Sequence, residues 1–178
     1  MANTTFQGPV TSKNGFITTG PANVVDADSS TSLTVASHAG RIVHNNAAGA
    51  VTYTLPAINA NSDSAVAGPG ADLNNLSNIG ATFEIFASIT KTGDFVVQVA
   101  NANDVMVGSA KFIDDSSDNM VGFETASTSD TITLNGSTTG GVTHATIECT
   151  VLASGKWLVS VVTGGTGDLA TPFSAAVS

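Results

Sequence analysis

The sequence predicts an all-β fold, either an antiparallel β-sandwich of jelly-roll-like form or a small β-barrel, with extended N- and C-terminal arms. Apolar and polar residues alternate with a period of two wherever the sequence is regular, as strands with one buried face require. Gly, Asn and Asp separate these stretches and favour turns. No window shows apolar residues at the spacing of a helix face, so the crossover helices of a parallel sheet are lacking and antiparallel pairing is expected.

Two hairpins are predicted from neighbouring alternating segments. The first spans 81–100 with a turn at Gly93 and Asp94, and the second spans 144–162 with a turn at Ser154 and Gly155. The remaining predicted strands are 33–35, 41–45, 51–55, 104–108 and 131–135.

The alternation also predicts which side chains of the hairpins face the core. They are Phe83, Ile85, Ala87, Ile89, Phe95, Val97, Val99, Ala145, Ile147, Cys149, Val151, Trp157, Val159 and Val161. Cys149 is therefore expected to be a small buried hydrophobic residue. Trp157 is expected in the core rather than as a platform that stacks on a sugar ring.

The chain is predicted to consist of one core domain and two arms. The N-terminal arm covers 1–30, the β-sandwich core 31–162 and the C-terminal arm 163–178, because sustained alternation is confined to the middle range. Two long loops rich in small and polar residues are expected at 59–75 and 114–130.

The charge balance excludes one class of partner. The chain has 14 Asp and Glu against 5 Lys and Arg, a net charge of -9, and no basic cluster, so nucleic acid is not an expected partner.

No apolar run approaches the roughly 20 residues of a membrane span, so no membrane partner is expected either. The N-terminus resembles no secretion signal, and synthesis in the cytoplasm is expected. The single cysteine cannot form an internal disulfide.

The chemistry that the sequence offers predicts a protein without enzymatic activity, cofactor or metal. No nucleophile elbow, phosphate-binding loop, dinucleotide fingerprint or zinc motif is present. His38, His44 and His144 are widely separated, and His44 and His144 are expected at exposed or rim positions, so a catalytic cluster would have to be assembled by folding alone.

Closely spaced acidic residues leave calcium binding open as an alternative. They are Asp26 and Asp28 in one segment, and Asp114, Asp115 and Asp118 in another. Neither segment fits the calcium loop of an EF-hand, and Asp followed by Ser more often closes a turn on its own backbone.

Isolated apolar residues in the two broken terminal segments predict contacts with a partner. In the N-terminal arm they are Phe6, Pro9, Phe16 and Ile17, and in the C-terminal arm Pro172 and Phe173. An extended arm can add backbone hydrogen bonds and side-chain anchors to a neighbouring subunit. The alternative is that both segments are edge strands folded onto their own domain.

Five stretches of the sequence resemble small structural proteins of tailed phages, especially marine and cyanobacterial ones. The stretches are FQGPVTSKNGF, VTYTLPAIN, IGATFEIFAS, GDFVVQVANANDVMVGS and SGKWLVSVVTGGTGDLATPFS. The family is that of capsid decoration (cement) proteins or head protrusions.

This resemblance implies an all-β subunit, commonly a homotrimer, that binds the major capsid protein on the outer surface of the virion. It supplies no catalytic residues. Two other functions stay open: a receptor- or glycan-binding domain of a phage fibre, and a β-sandwich enzyme whose His and Asp residues meet only in the folded chain.

Overall fold

A computed structural model describes residues 23–59, 78–115, 117, 119–153 and 155–177 of the chain. Within these ranges it contains one short helix, α1, and twelve strands. In chain order the elements are β1 (Val24–Asp26), β2 (Thr31–Ser32), α1 (Val35–His38), β3 (Ile42–Asn45), β4 (Val51–Thr54), β5 (Thr82–Ala87), β6 (Phe95–Gln98), β7 (Val105–Asp114), β8 (Met120–Glu124), β9 (Thr131–Leu134), β10 (Val142–Ala153), β11 (Lys156–Gly165) and β12 (Phe173–Ser174).

The strands form two sheets that enclose one hydrophobic core, which confirms the predicted all-β sandwich. The large sheet has the order β1-β3-β5-β10-β11-β7-β8, and the small sheet has the order β12-β9-β6-β4-β2. Neither sheet closes into a barrel. Among the residues that the structure describes, no helix has the length and apolar character needed to cross a membrane.

The first six strands form a coil that alternates between the sheets. β1, β3 and β5 lie in the large sheet, whereas β2, β4 and β6 lie in the small sheet, so strands two apart in sequence pair in parallel. The expectation of purely antiparallel pairing is therefore wrong for this half. A parallel pair needs a crossover of sufficient length, and here a strand of the opposite sheet replaces the crossover helix.

The predicted hairpin over 81–100 is also wrong in its pairing, although both of its strands exist. β5 pairs with β3 and β10 in the large sheet, and β6 pairs with β4 and β9 in the small sheet. Phe83 and Phe95 are both fully buried, one from each sheet. The alternation correctly identified which side chains point into the core. It cannot tell whether two such strands pair within one sheet or face each other from opposite sheets.

The second predicted hairpin is confirmed. β10 and β11 pair antiparallel, with Glu148 opposite Ser160 at the middle of the ladder. β11 pairs in parallel with β7 along ten positions, and β7 pairs antiparallel with β8.

The loop predicted at 114–130 is corrected, because β8 lies within this range. Phe123 of β8 packs edge-on against Phe112 at 5.2 Å between ring centroids. The alternation of β8 was obscured because Gly122 lies between its two inward residues, Val121 and Phe123.

The core contains the side chains that the alternation assigned to it, except Ile89, which is exposed. Trp157 is fully buried and contacts Phe83 at 5.8 Å between ring centroids, so it is not available to stack on a sugar. Cys149 is fully buried as predicted, and burial raises the pKa of its thiol to about 12. The predicted strand at 33–35 is not formed, because Thr34 instead caps α1 by accepting a hydrogen bond from the Ser37 backbone N–H.

Both predicted domain boundaries differ from the structure. β1 lies inside the range assigned to the N-terminal arm, and β11 continues past 162 to Gly165. The C-terminal arm is corrected more strongly, since β12 pairs with β9 and both Pro172 and Phe173 are buried in their own domain. The Asp130 carboxylate also accepts hydrogen bonds from the backbone N–H groups of residues 176 and 177, which ties the segment down.

Candidate functional site

The structure separates the residues predicted to bind a partner into two groups. Phe6, Pro9, Phe16 and Ile17 lie outside the described residues. Pro172 and Phe173 lie within them, but both are buried, and the Pro172 carbonyl accepts a hydrogen bond of 2.8 Å from the Thr133 N–H. The C-terminal segment therefore fits the alternative prediction, in which it is an edge strand folded onto its own domain.

Three polar side chains meet on the outer face of the large sheet, and we call them the outer triad: Asp26, His44 and Ser88. Asp26 of β1 and His44 of β3 are direct neighbours in the parallel ladder. The Asp26 carboxylate lies 2.7 Å from Nδ1 of His44, and Oγ of Ser88 lies 2.9 Å from Nε2. The outer triad therefore connects β1, β3 and the residue that follows β5.

The outer triad has the hydrogen-bond order of a serine hydrolase. A carboxylate that accepts from Nδ1–H leaves Nε2 free to accept the hydroxyl proton of the serine, which is the arrangement that activates a nucleophile. His44 also stacks on Phe86 at 6.3 Å between ring centroids, which further restricts the ring. The rim position predicted for His44 agrees with its partial exposure.

Such an enzyme has two further requirements, which are donors for the developing oxyanion and a cleft for the substrate. The Ser88 N–H donates to the Asn45 carbonyl at 3.0 Å, so this N–H is already used, and Asp26 is 79% exposed. A pocket of about 110 Å³ lies elsewhere, where Asp115 and His144 are among its lining residues.

A second polar group lies in the core, and we call it the Lys91 cluster. It consists of Lys91, Asn45 and Tyr53. Lys91 is only 2% exposed. Its Nζ donates to Oδ1 of Asn45 at 2.5 Å and to the Ala47 carbonyl at 2.7 Å, and it lies 4.8 Å from the centroid of the Phe95 ring. Burial lowers the pKa of Lys91, and the negative charge of Asp28 opposes that shift in part.

Tyr53 completes the Lys91 cluster by holding the amide of Asn45. Nδ2 of Asn45 donates to the Tyr53 hydroxyl at 3.0 Å and to the Ala27 carbonyl at 2.9 Å, and the Tyr53 hydroxyl itself donates to that carbonyl. Burial raises the pKa of Tyr53 to about 12, with the Asn45 hydrogen bond acting in the opposite direction. The tyrosine thus stays protonated at neutral pH and remains a donor.

Two glycines from the connection between β9 and β10 cover Lys91. Gly136 has a φ of +77°, and a Cβ there would lie 1.8 Å from the Lys91 carbonyl oxygen. The Gly141 carbonyl accepts a 2.9 Å hydrogen bond from the Lys91 N–H, and a Cβ at Gly141 would lie 3.1 Å from Cγ of Lys91. Only glycine fits this close approach at Gly136 without displacing backbone.

Sequence reasoning found neither group, and the reason is the same for both. Asp26 and His44 are 18 residues apart, His44 and Ser88 are 44 apart, and Asn45 and Lys91 are 46 apart. They become neighbours only through the parallel coil, which the alternation does not reveal. Lys91 also sits in a Gly-containing turn segment, where an exposed lysine is the ordinary expectation.

Three of the acidic residues weighed as calcium ligands, Asp26, Asp28 and Asp114, make hydrogen bonds with other groups of the chain. Asp28 accepts from the Asn46 N–H at 2.6 Å, and Asp114 accepts from the Ser117 hydroxyl at 2.5 Å. Asp118 lies outside the described residues. No group of three His, Cys, Asp or Glu side chains with metal-binding geometry occurs among the residues that are described.

Comparison with known proteins gives no relative: no protein-family model, no curated protein and no solved structure matches this chain.

Proposed function

We propose that this chain is a structural virion protein that binds the major capsid protein and decorates or stabilises the exterior of a phage capsid. The observation that carries the proposal is the outer face of the large sheet. This face presents large apolar side chains to solvent: Val107, Ile113, Met120, Leu152, Leu158 and Val162 are all exposed there.

The outer face has the composition of a protein-binding surface. Leu158 and Val107 lie side by side in the β11–β7 ladder and are each 45% exposed. The residues between the apolar positions are mainly Ser, Thr and Gly, together with the charged side chains Glu84, Lys111, Glu124, Glu148 and Lys156. Exposed apolar side chains that are grouped together and bordered by polar residues are typical of a protein–protein interface.

The charge of the whole chain fits the same proposal. A net charge of -9 and 5 basic residues favour a protein partner over nucleic acid. The sequence resemblance to decoration proteins supports the capsid as that partner, and it supports a homotrimer as the assembled form. The N-terminal residues Phe6, Pro9, Phe16 and Ile17 remain the proposed arm contacts, whereas Pro172 and Phe173 are withdrawn from that role because they are buried.

The test is co-sedimentation of purified protein with capsids assembled from the major capsid protein of the phage that encodes the chain. We expect binding by the wild type and a loss of affinity of at least about tenfold for the Val107→Asp, Leu158→Asp double variant. Val35→Asp is the matched control, since Val35 is similarly exposed (42%) but lies on α1.

Deleting residues 1–17 tests the arm separately and should reduce binding without lowering the melting temperature of the core. If the wild type does not sediment with capsids, the proposal is wrong. If both variants bind like the wild type, neither the outer face nor the arm carries the contact.

A second function, ester hydrolysis by the outer triad, is favoured by one observation, the 2.7 and 2.9 Å contacts of His44. It predicts turnover of p-nitrophenyl acetate and labelling of Ser88 by a fluorophosphonate. Ser88→Ala should abolish both, whereas Ser160→Ala, an exposed serine of the same sheet, should change neither. Equal background rates for the wild type and Ser88→Ala would exclude this function.

A further inference from the structure

The contact between Lys91 and Asn45 places an amine against a side-chain amide inside the core. Nζ of Lys91 lies 2.5 Å from Oδ1 of Asn45, and both residues are buried, at 2% and 0% exposure. No carboxylate forms a salt bridge with Lys91 among the described residues. A buried ammonium without a salt-bridge partner is costly, so burial favours the neutral amine, which is a nucleophile, more than exposure to water would.

The surroundings hold the amide in one orientation. Nδ2 of Asn45 is fixed by the Tyr53 hydroxyl and the Ala27 carbonyl, so Oδ1 faces Lys91. The Ala47 N–H donates to the same Oδ1 at 3.2 Å and withdraws electron density from the carbonyl. Burial lowers the pKa of Lys91, which increases the fraction of neutral amine. Restricted geometry of this kind raises the rate of an intramolecular reaction by a large effective concentration.

We propose that Lys91 and Asn45 form an intramolecular isopeptide bond. The neutral Nζ of Lys91 attacks Cγ of Asn45 and the new C–N bond forms, a proton passes from Nζ to Nδ2, and the bond between Cγ and Nδ2 breaks to release ammonia. An ammonium and a carboxamide become a secondary amide and an ammonium ion: R–NH3+ plus R′–CONH2 gives R–NH–CO–R′ plus NH4+. Atoms and charge balance without an oxidant, a metal or any other reactant.

The bond would tie together two parts of the parallel coil. Asn45 ends β3, and Lys91 lies in the connection between β5 and β6, so the cross-link spans 46 residues. Closing a loop of that length restricts the unfolded chain as a disulfide does. It would do so in a chain whose lone Cys149 cannot supply a disulfide. This inference does not depend on the proposed capsid role.

Tryptic digestion of the denatured wild-type protein tests the bond directly. Cleavage after Arg41, Lys91 and Lys111 would give the separate fragments 42–91 and 92–111. An isopeptide bond on Lys91 blocks cleavage there, so we expect the single fragment 42–111 at a mass about 17 Da below that of its sequence, the mass of the ammonia lost. Ring closure at an Asn-Gly pair also loses ammonia, but Asn14-Gly15 and Asn135-Gly136 lie in other fragments.

Matched variants identify the two partners. Asn45→Ala should restore cleavage at Lys91, whereas Asn46→Ala, at the exposed neighbouring residue, should leave the cross-link intact. Lys91→Met should give fragment 42–111 at its full mass. Complete cleavage of the wild type at Lys91, with fragment 42–91 at its full mass, overturns the proposal. So does loss of the cross-link in Asn46→Ala but not in Asn45→Ala. The wild-type digest decides the question even if a variant fails to fold.

Discussion

The parallel coil and the β10–β11 hairpin hold their strands together by different means. In the coil, β1 to β4 are two to four residues long, and their pairs come from distant parts of the sequence. In the hairpin, β10 and β11 are 12 and 10 residues long and are joined by a tight connection. A short strand offers few ladder hydrogen bonds, so its register needs help from side chains.

That help is visible on both faces of the coil. The outer triad links β1, β3 and the end of β5, and the Lys91 cluster links β3, β4 and the segment before β6. Both regions direct apolar side chains into the core, such as Val43 and Phe95 from the coil and Val159 and Trp157 from the hairpin. The difference is that the short strands of the coil add polar contacts that help to specify their register, whereas the hairpin relies on apolar packing and its turn.

The largest expected change in the free energy of unfolding comes from the apolar packing of the hairpin. Trp157→Ala should lower the free energy of unfolding by about 3–5 kcal/mol, because it removes a large side chain that is fully buried against Phe83. Urea unfolding measures the change. Leu158→Ala, at the next and exposed position, should stay within about 0.5 kcal/mol. Similar losses for the two variants would contradict the packing described for the hairpin.

A smaller effect is expected from the pH dependence of the Lys91 cluster. Tyr53 is the single tyrosine of the chain, so absorbance at 295 nm reports its ionisation alone. We expect a pKa of about 12 in the folded protein, against 10.0 for an ordinary tyrosine.

The sign of the stability change follows from proton binding. Between pH 10 and about 12 the unfolded chain loses the Tyr53 proton and the folded chain keeps it, so stability falls as pH rises through that range. The same titration in concentrated urea should return to about pH 10. Ionisation near pH 10 in the folded protein would show that the hydroxyl is not buried as described.

The smallest effect is expected on the outer face of the coil. Asp26→Asn removes the charge from the outer triad and should cost less than about 1 kcal/mol, because the carboxylate is mostly exposed and screened by water. Thermal unfolding measures the change, with Asp168→Asn as an exposed control. A loss of several kcal/mol would mean that the outer triad, rather than the Lys91 cluster, holds the coil together.

The sequence by itself determined where most strands lie and which side chains face inward. The alternation placed β3, β4, β5, β6, β9, β10 and β11, and it assigned Cys149 and Trp157 to the core. These are local properties, because a strand with one buried face shows its period of two whichever strand lies next to it. The hairpin was predicted correctly because its partners are also neighbours in sequence.

Only the tertiary structure decided which strands pair and which polar residues meet. The sequence predicts that β5 and β6 form a hairpin, but they belong to different sheets. The alternation does not distinguish the two arrangements, because strands that face each other across the core show the same pattern as strands that pair. Lys91 reads as an exposed turn residue, yet Gly136 and Gly141 of a distant connection cover it, and Asn45 meets it after 46 residues of chain. Burial of this kind depends on the path of the whole chain, which no short window of sequence contains.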